Sequence, residues 1–161
     1  MIAPDKLQQL WQRCNRVPGG KWLFSTVFSA QAPYFFSINP LMRSLEPGHA
    51  VAVMADRFWK RNHINSVHAI AMCNLAEYVV GAVSVATIPA DIRWIPSGMQ
   101  THYTKVAHGK LTATANLATE FRRAKYVEPV HITITDQQGD TVFKATVDMH
   151  LSPKPAQSTS K

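Results

Sequence analysis

One run limits the fold of this chain more than any other. Residues 66–86 are apolar at almost every position, with Glu77 planted in the middle. A surface helix shows a polar stripe every three or four residues. None is visible here, so a helix over this run has to be enclosed by its own fold or by a partner. Asn65 or Ser66 is placed to cap it with a side-chain oxygen, and Pro89 stops it. The length is close to the ~20 residues of a membrane span. Glu77 at mid-bilayer would cost about 2.5–3.5 kcal/mol, Asn74 and Ser84 add to that, and no second such run occurs. The expectation is a buried helix with no membrane partner.

The rest of the chain supplies what could enclose it. Leu111, Ala113, Ala115 and Leu117 alternate with Thr112, Thr114 and Asn116. Residues 130–136 alternate too, and after the "DQQGD" turn Phe143, Ala145, Val147, Met149 and Leu151 alternate with Lys144, Thr146, Asp148 and His150. Such period-2 patterns predict antiparallel strands with one covered face. Further strands are expected over 49–58 and 94–107, with 34–46 extended before a turn at 46–49. At the N-terminus, Leu7, Leu10, Trp11 and Cys14 recur at helical spacing after Pro4 and Asp5. "VPGG" breaks that helix, and 21–30 suits a second short helix or a strand. The polar, Pro-rich tail 153–161 is expected to be mobile. The sum is one α+β domain over 1–152, with an N-terminal helical segment (1–32) and a core (33–152) of about six antiparallel strands around one long helix.

Seventeen Lys and Arg against ten Asp and Glu give a net charge of +7, which suits an anionic partner. A nucleic-acid partner is not expected, because no strand interleaves aromatic with basic residues and no basic recognition helix is present. Cys14 and Cys73 have neither disulfide nor zinc spacing, and no basic partner that would activate a thiol. Cys73 is expected to be a small core residue. The opening "MIAPDKLQQL" lacks a signal-peptide core, so a cytoplasmic setting is expected.

Nine residues separate His68 from Glu77. That is two and a half turns, so the two project from opposite sides of one helix. A site using both would be shared between two chains related by a two-fold axis. Here Asn62, then His68, then "LAE" ending at Glu77 resemble the Asn…His-Gly-Gly…Leu-Ala-Asp/Glu signature of PaaI-type hotdog-fold thioesterases. The resemblance covers about residues 33–152 and implies a hotdog fold, with the sheet wrapped around the helix. It implies an acyl-CoA thioesterase acting as a homodimer or homotetramer, with no cofactor beyond the CoA of its substrate and no metal.

Position by position, Glu77 matches the catalytic carboxylate, acting as general base or nucleophile, and His68 and Asn62 match residues that orient substrate or water. The family's two glycines are Ala69 and Ile70 here. These two and Asn74 are expected near the thioester, and Lys105, Lys110, Arg122 and Arg123 near the CoA phosphates. Burial among Leu75, Val79 and Val80 is expected to raise the Glu77 pKa.

Each residue also has a plainer reading. Glu77 is then satisfied by Asn74 or a partner chain, His68 caps or packs, Asn62 orders a turn, and the "FRRAK" run is a solvated loop. With the glycines replaced, the alternative function is a non-catalytic module that binds acyl-CoA or acyl chains.

Overall fold

The alternating segments form one antiparallel sheet. Its strands are β1 (Leu41–Glu46), β2 (His49–Met54), β3 (Ile92–Tyr103), β4 (Leu111–Asn116), β5 (Tyr126–Thr135) and β6 (Thr141–Pro153). They lie side by side in the order β1-β2-β4-β5-β6-β3. This is a computed structural model, and it describes residues 4–155. Leu111, Ala113 and Ala115 of β4 and Phe143, Ala145, Val147, Met149 and Leu151 of β6 are buried, as the pattern required. Their inner face packs on α3 (Ala69–Thr87). By length and composition α3 could cross a bilayer, but 72% of its most apolar window is buried in this fold.

The other side of α3 is covered by α1 (Pro4–Asn15) and α2 (Gly20–Ser29). The ambiguous 21–30 segment is therefore a helix. A Cβ on Gly20 would lie 1.8 Å from the Cys14 carbonyl oxygen, so only glycine allows this sharp return between the two helices. A chain of rings ties the layers together. Trp11 meets Phe24 at 5.0 Å, Phe24 meets Phe28 at 6.1 Å, and Phe28 meets Tyr78 of α3 at 5.3 Å. The first and last pairs are edge to face and the middle one is stacked, and such pairs add about 0.5–1.5 kcal/mol each beyond the area they bury.

Several boundaries differ from expectation. Residues 33–37 form a turn of 3₁₀ helix, not an extended strand. Pro33 fixes its start, and Phe35 is drawn inward to Tyr78 at 5.2 Å. β2 ends at Met54, because the chain bends into a second 3₁₀ turn, Phe58–Lys60. β5 begins at Tyr126 rather than Val130. Its first residues pair with β6 alone, since β4 reaches only His131, and there Pro129 has no ladder bond to break. The segment expected to be mobile is partly fixed: Pro153 pairs with Ile92 and the Lys154 N–H donates to the Asp91 carbonyl at 2.8 Å. The remainder of that segment, 156–161, lies outside the described residues.

One buried hydroxyl joins the helical layer to the sheet. Ser25 Oγ accepts from the Met42 N–H at 2.8 Å and donates to the Lys21 carbonyl at 2.7 Å. Ser25→Ala leaves the Met42 N–H unpaired in the core and is expected to lower unfolding free energy by about 1–3 kcal/mol. A shift in the denaturant midpoint measures it.

Candidate active site

Sheet and helices leave one stripe of α3 uncovered: Ile70, Cys73, Glu77 and Gly81, spaced three or four residues apart. Glu77 is therefore exposed in the single chain. The expected burial among Leu75, Val79 and Val80 is not found, because those three side chains turn inward while Glu77 points away from the sheet. It stands in the wall of a cavity of about 390 Å³ whose other walls include Phe28, Phe35, Val80, Trp94 and Pro96. The cavity pairs one carboxylate with an apolar interior, the combination expected of a site that handles a greasy substrate. Phe28 and Phe35 come from the N-terminal segment and the 3₁₀ turn, and Trp94 from β3. Their contribution was not visible in the sequence, because it depends on how α2 folds back over α3.

The helix begins two or three residues later than expected. Its N-cap is His68, whose Nδ1 accepts from the Ile70 N–H at 3.1 Å. Neither Asn65 nor Ser66 is available. Asn65 takes a left-handed backbone at φ 61, and Ser66 belongs to the preceding turn. Asn62 Oδ1 accepts from the Ile64 N–H at 3.1 Å and the Ser66 N–H at 3.1 Å, so the Asn62 carboxamide orders the loop leading to the helix. Asp56 holds the base of that loop. It pairs with Arg61 Nε at 2.7 Å and accepts from the Gly109 N–H at 3.0 Å. The Arg61 guanidinium holds the Asp56 carboxyl below the usual carboxylate range, against the opposing effect of burial and with the Gly109 N–H assisting.

His68 and Asn74 line a second hollow at the helix start, with Tyr34, Ser37, Lys60 and Ile70. Asn74 Nδ2 donates to Ser37 Oγ at 3.1 Å, while its buried Oδ1 has no partner among the described residues. Asn74 thus does not satisfy Glu77. His68 and Glu77 sit in separate cavities, as their spacing predicted. Ala69 is half-buried at the first helical position, where its N–H opens the helix, and it lines a third hollow with Asn62 and Tyr103. Ile70 projects into solvent. Cys73 is on the open stripe, not in the core, and its Sγ lies 3.2 Å from Tyr103 Oη.

The four cations expected at phosphates are not brought together. Lys105 pairs with Asp140 at 2.6 Å and Asp136 at 3.3 Å. Arg123 pairs with Asp91 at 3.1 Å, and Arg122 lies over the Tyr126 ring at 4.5 Å. Lys110 is exposed just before β4.

Six antiparallel strands wrapped on one long helix define a hotdog-fold protein, the architecture that the resemblance to PaaI-type proteins implied. Residues 20–151 match the family described as Domain of unknown function (DUF4442), and the chain belongs to that family. It is similar to a structural-genomics protein of solved structure at 34% identity and TM-score 0.79, over 92% of this chain and 99% of that one. It is also similar to PA5026 from Pseudomonas aeruginosa, a protein of unknown function described as a probable thioesterase. That match has 22% identity and TM-score 0.74, over 86% of this chain and 97% of the other. The smu.793 protein from Streptococcus mutans, solved bound to acetyl CoA, aligns at 23% identity and TM-score 0.60, over 70% of this chain and 88% of that one. The last two likenesses are likenesses of fold. A comparison with curated protein sequences gives no match.

Two outcomes test the loop and cap. His68→Ala is expected to cost about 1 kcal/mol of stability, and His68→Asn to restore most of it, since asparagine caps well; thermal unfolding of both variants measures this. A carboxyl whose pKa is lowered by folding stabilises above its unfolded pKa, and that contribution is lost as pH falls through the folded value. Asp56→Asn is therefore expected to flatten the acid-side decline in stability between about pH 5 and 3.

Proposed function

We propose that this protein is an acyl-CoA thioesterase that works as a homo-oligomer, with each site built from two chains. The observation that carries the reading is the position of Glu77, a carboxylate on the uncovered stripe of α3 at the wall of an apolar cavity. The acyl group would lie among Phe28, Phe35, Val80 and Trp94. Glu77 would take a proton from water as the water attacks the thioester carbonyl, or would itself attack to give an anhydride that water then opens. In both routes the C–S bond breaks and the CoA thiol leaves. The helix N-terminus, with its positive dipole end and the Ala69 N–H, would carry the developing oxyanion.

Ala69 and Glu77 are eight residues apart, about 12 Å along the helix axis at 1.5 Å per residue. One thioester carbon cannot be in reach of both, so the helix start of one chain would serve with Glu77 of another. The exposed surface suits such a pairing. β3 is a sheet edge twelve residues long. Ile70, Tyr103 and Val106 leave large apolar groups exposed beside it and on the open stripe. The likenesses to a probable thioesterase and to a protein solved with acetyl CoA support the same substrate class.

A second reading, binding without turnover, is favoured by one feature. The Ile70 N–H, which stands where the family's second glycine would offer a close approach, is already taken by His68. Glu77→Gln separates the two readings. Under the first, kcat/KM for acyl-CoA falls by about a hundredfold or more while circular dichroism is unchanged. Equal activity in the variant and the parent removes Glu77 from the mechanism. Sedimentation is expected to show a dimer or tetramer, and a monomer that hydrolyses acyl-CoA rules out the shared site.

A further inference from the structure

A larger hollow, about 640 Å³, opens between α2, the start of β1 and the 55–60 bend, and the acyl-transfer chemistry above makes no use of it. Its walls carry Trp22, Phe36 and Trp59, with Arg57 and Lys60 beside them. Trp22 is 68% exposed and Trp59 is 62% exposed. Large rings left open to water around one concavity mark a binding surface, and exposed indoles are stacking platforms for planar heterocycles.

Lys60 is the unusual residue. It is only 4% exposed. Its Nζ donates to the Ile38 carbonyl and, at 3.0 Å, to the Ala55 carbonyl. An ammonium has three N–H groups, so one is left without an oxygen acceptor among the described residues, with the Trp59 ring centroid 5.9 Å from Nζ. Among the described residues no carboxylate lies within ion-pair distance of it. A buried cation without a counter-charge is costly. The cost shows in its acidity: burial, then the nearby Arg57 guanidinium, brings the Lys60 pKa down to about 8, with Asp56 opposing weakly. A negatively charged ligand group would supply the missing counter-charge, and Arg57, exposed in the same wall, would share it.

Aromatic walls with a cationic floor select a phosphorylated planar heterocycle. Trp59 and Lys60 also wall the hollow at the start of α3 that holds His68 and Asn74. The two hollows therefore adjoin. CoA has a thioester at one end and a phosphorylated adenosine at the other, and adjoining hollows suit such an elongated ligand.

The geometry points to the Trp22–Trp59–Lys60 hollow as the site that receives the phosphorylated adenosine of CoA. This assignment rests on the acyl-CoA reading, and it moves the phosphate contacts away from Lys105, Arg122 and Arg123, which are engaged elsewhere in the chain.

Calorimetry on the full chain tests it with CoA, adenosine 3′,5′-bisphosphate, inorganic phosphate and pantetheine as probes. CoA and the bisphosphate are expected to bind. Trp22→Ala and Arg57→Ala, both at exposed side chains, are expected to weaken both by about tenfold or more and to leave pantetheine unaffected. Phosphate binding as tightly as the bisphosphate would reduce the site to a simple anion hole and overturn the adenosine assignment.

Lys60→Met keeps the length of the side chain and removes the charge. At about pH 8 the parent should take up a fraction of a proton on binding the bisphosphate, seen as a heat that varies with the buffer, and the variant should not. The other groups around Lys60 are Asp56, Arg57, Arg61 and His68, and His68→Asn is the control for uptake at the histidine. CoA and bisphosphate affinities unchanged in Trp22→Ala and Arg57→Ala overturn the proposal. If these variants hydrolyse acyl-CoA with unchanged KM, the hollow is excluded and the thioesterase reading stands. If the parent binds the bisphosphate here but hydrolyses nothing, the hollow stands and the catalytic reading falls.

Discussion

The architecture depends on enclosing a helix that has no polar face of its own. At about 25 cal/mol per Å² of apolar surface removed from water, burying a helix such as α3 is the largest favourable contribution available to a chain of this size. The sheet supplies one wall through β1, β2, β4, β5 and β6. It cannot supply the opposite wall, and that is the role of α1 and α2. Phe28 of α2 and Phe35 of the 3₁₀ turn both meet the Tyr78 ring edge to face. Cover from both sides ends at the stripe through Ile70, Cys73, Glu77 and Gly81. The position of the candidate site is thus a by-product of packing: the carboxylate stands where the cover runs out.

The architecture was legible because it rests on two periodicities. Alternation is strict in β4 and over Phe143–Leu151 of β6, so their inner faces could be read residue by residue. α3 was legible from its length and composition alone. The errors cluster where tertiary contacts override local pattern. "YFFS" is rich in strand-forming residues, yet Pro33 at its start and the pull of Phe35 toward Tyr78 make it helical. Ser66 is a strong capping residue by type, but Asn62 binds it first, which leaves the cap to His68.

Of the candidate site, the carboxylate on α3 and the separation of His68 from Glu77 could be read in the sequence. Its apolar lining was not, since Phe28, Phe35 and Trp94 come from three distant segments whose meeting no local pattern encodes. The internal partners of the cations were hidden for a related reason. A sequence shows how many lysines and arginines exist, but not which have an internal partner. Asp136, Asp140 and Asp91 take Lys105 and Arg123. Lys60, in a run with Arg57 and Arg61, looks like one more solvated charge until the fold closes over it.

The exposure of Glu77 bears on what a second subunit would add to the proposed site. In the single chain Glu77 keeps its solvent, and its cavity is open. In the proposed assembly a second subunit would lie across the stripe and displace that water, while the surrounding walls, Phe28, Phe35 and Val80, offer no positive charge in exchange. The same event would bring Glu77 the helix terminus it lacks, so that oligomerisation would complete the geometry of the proposed site.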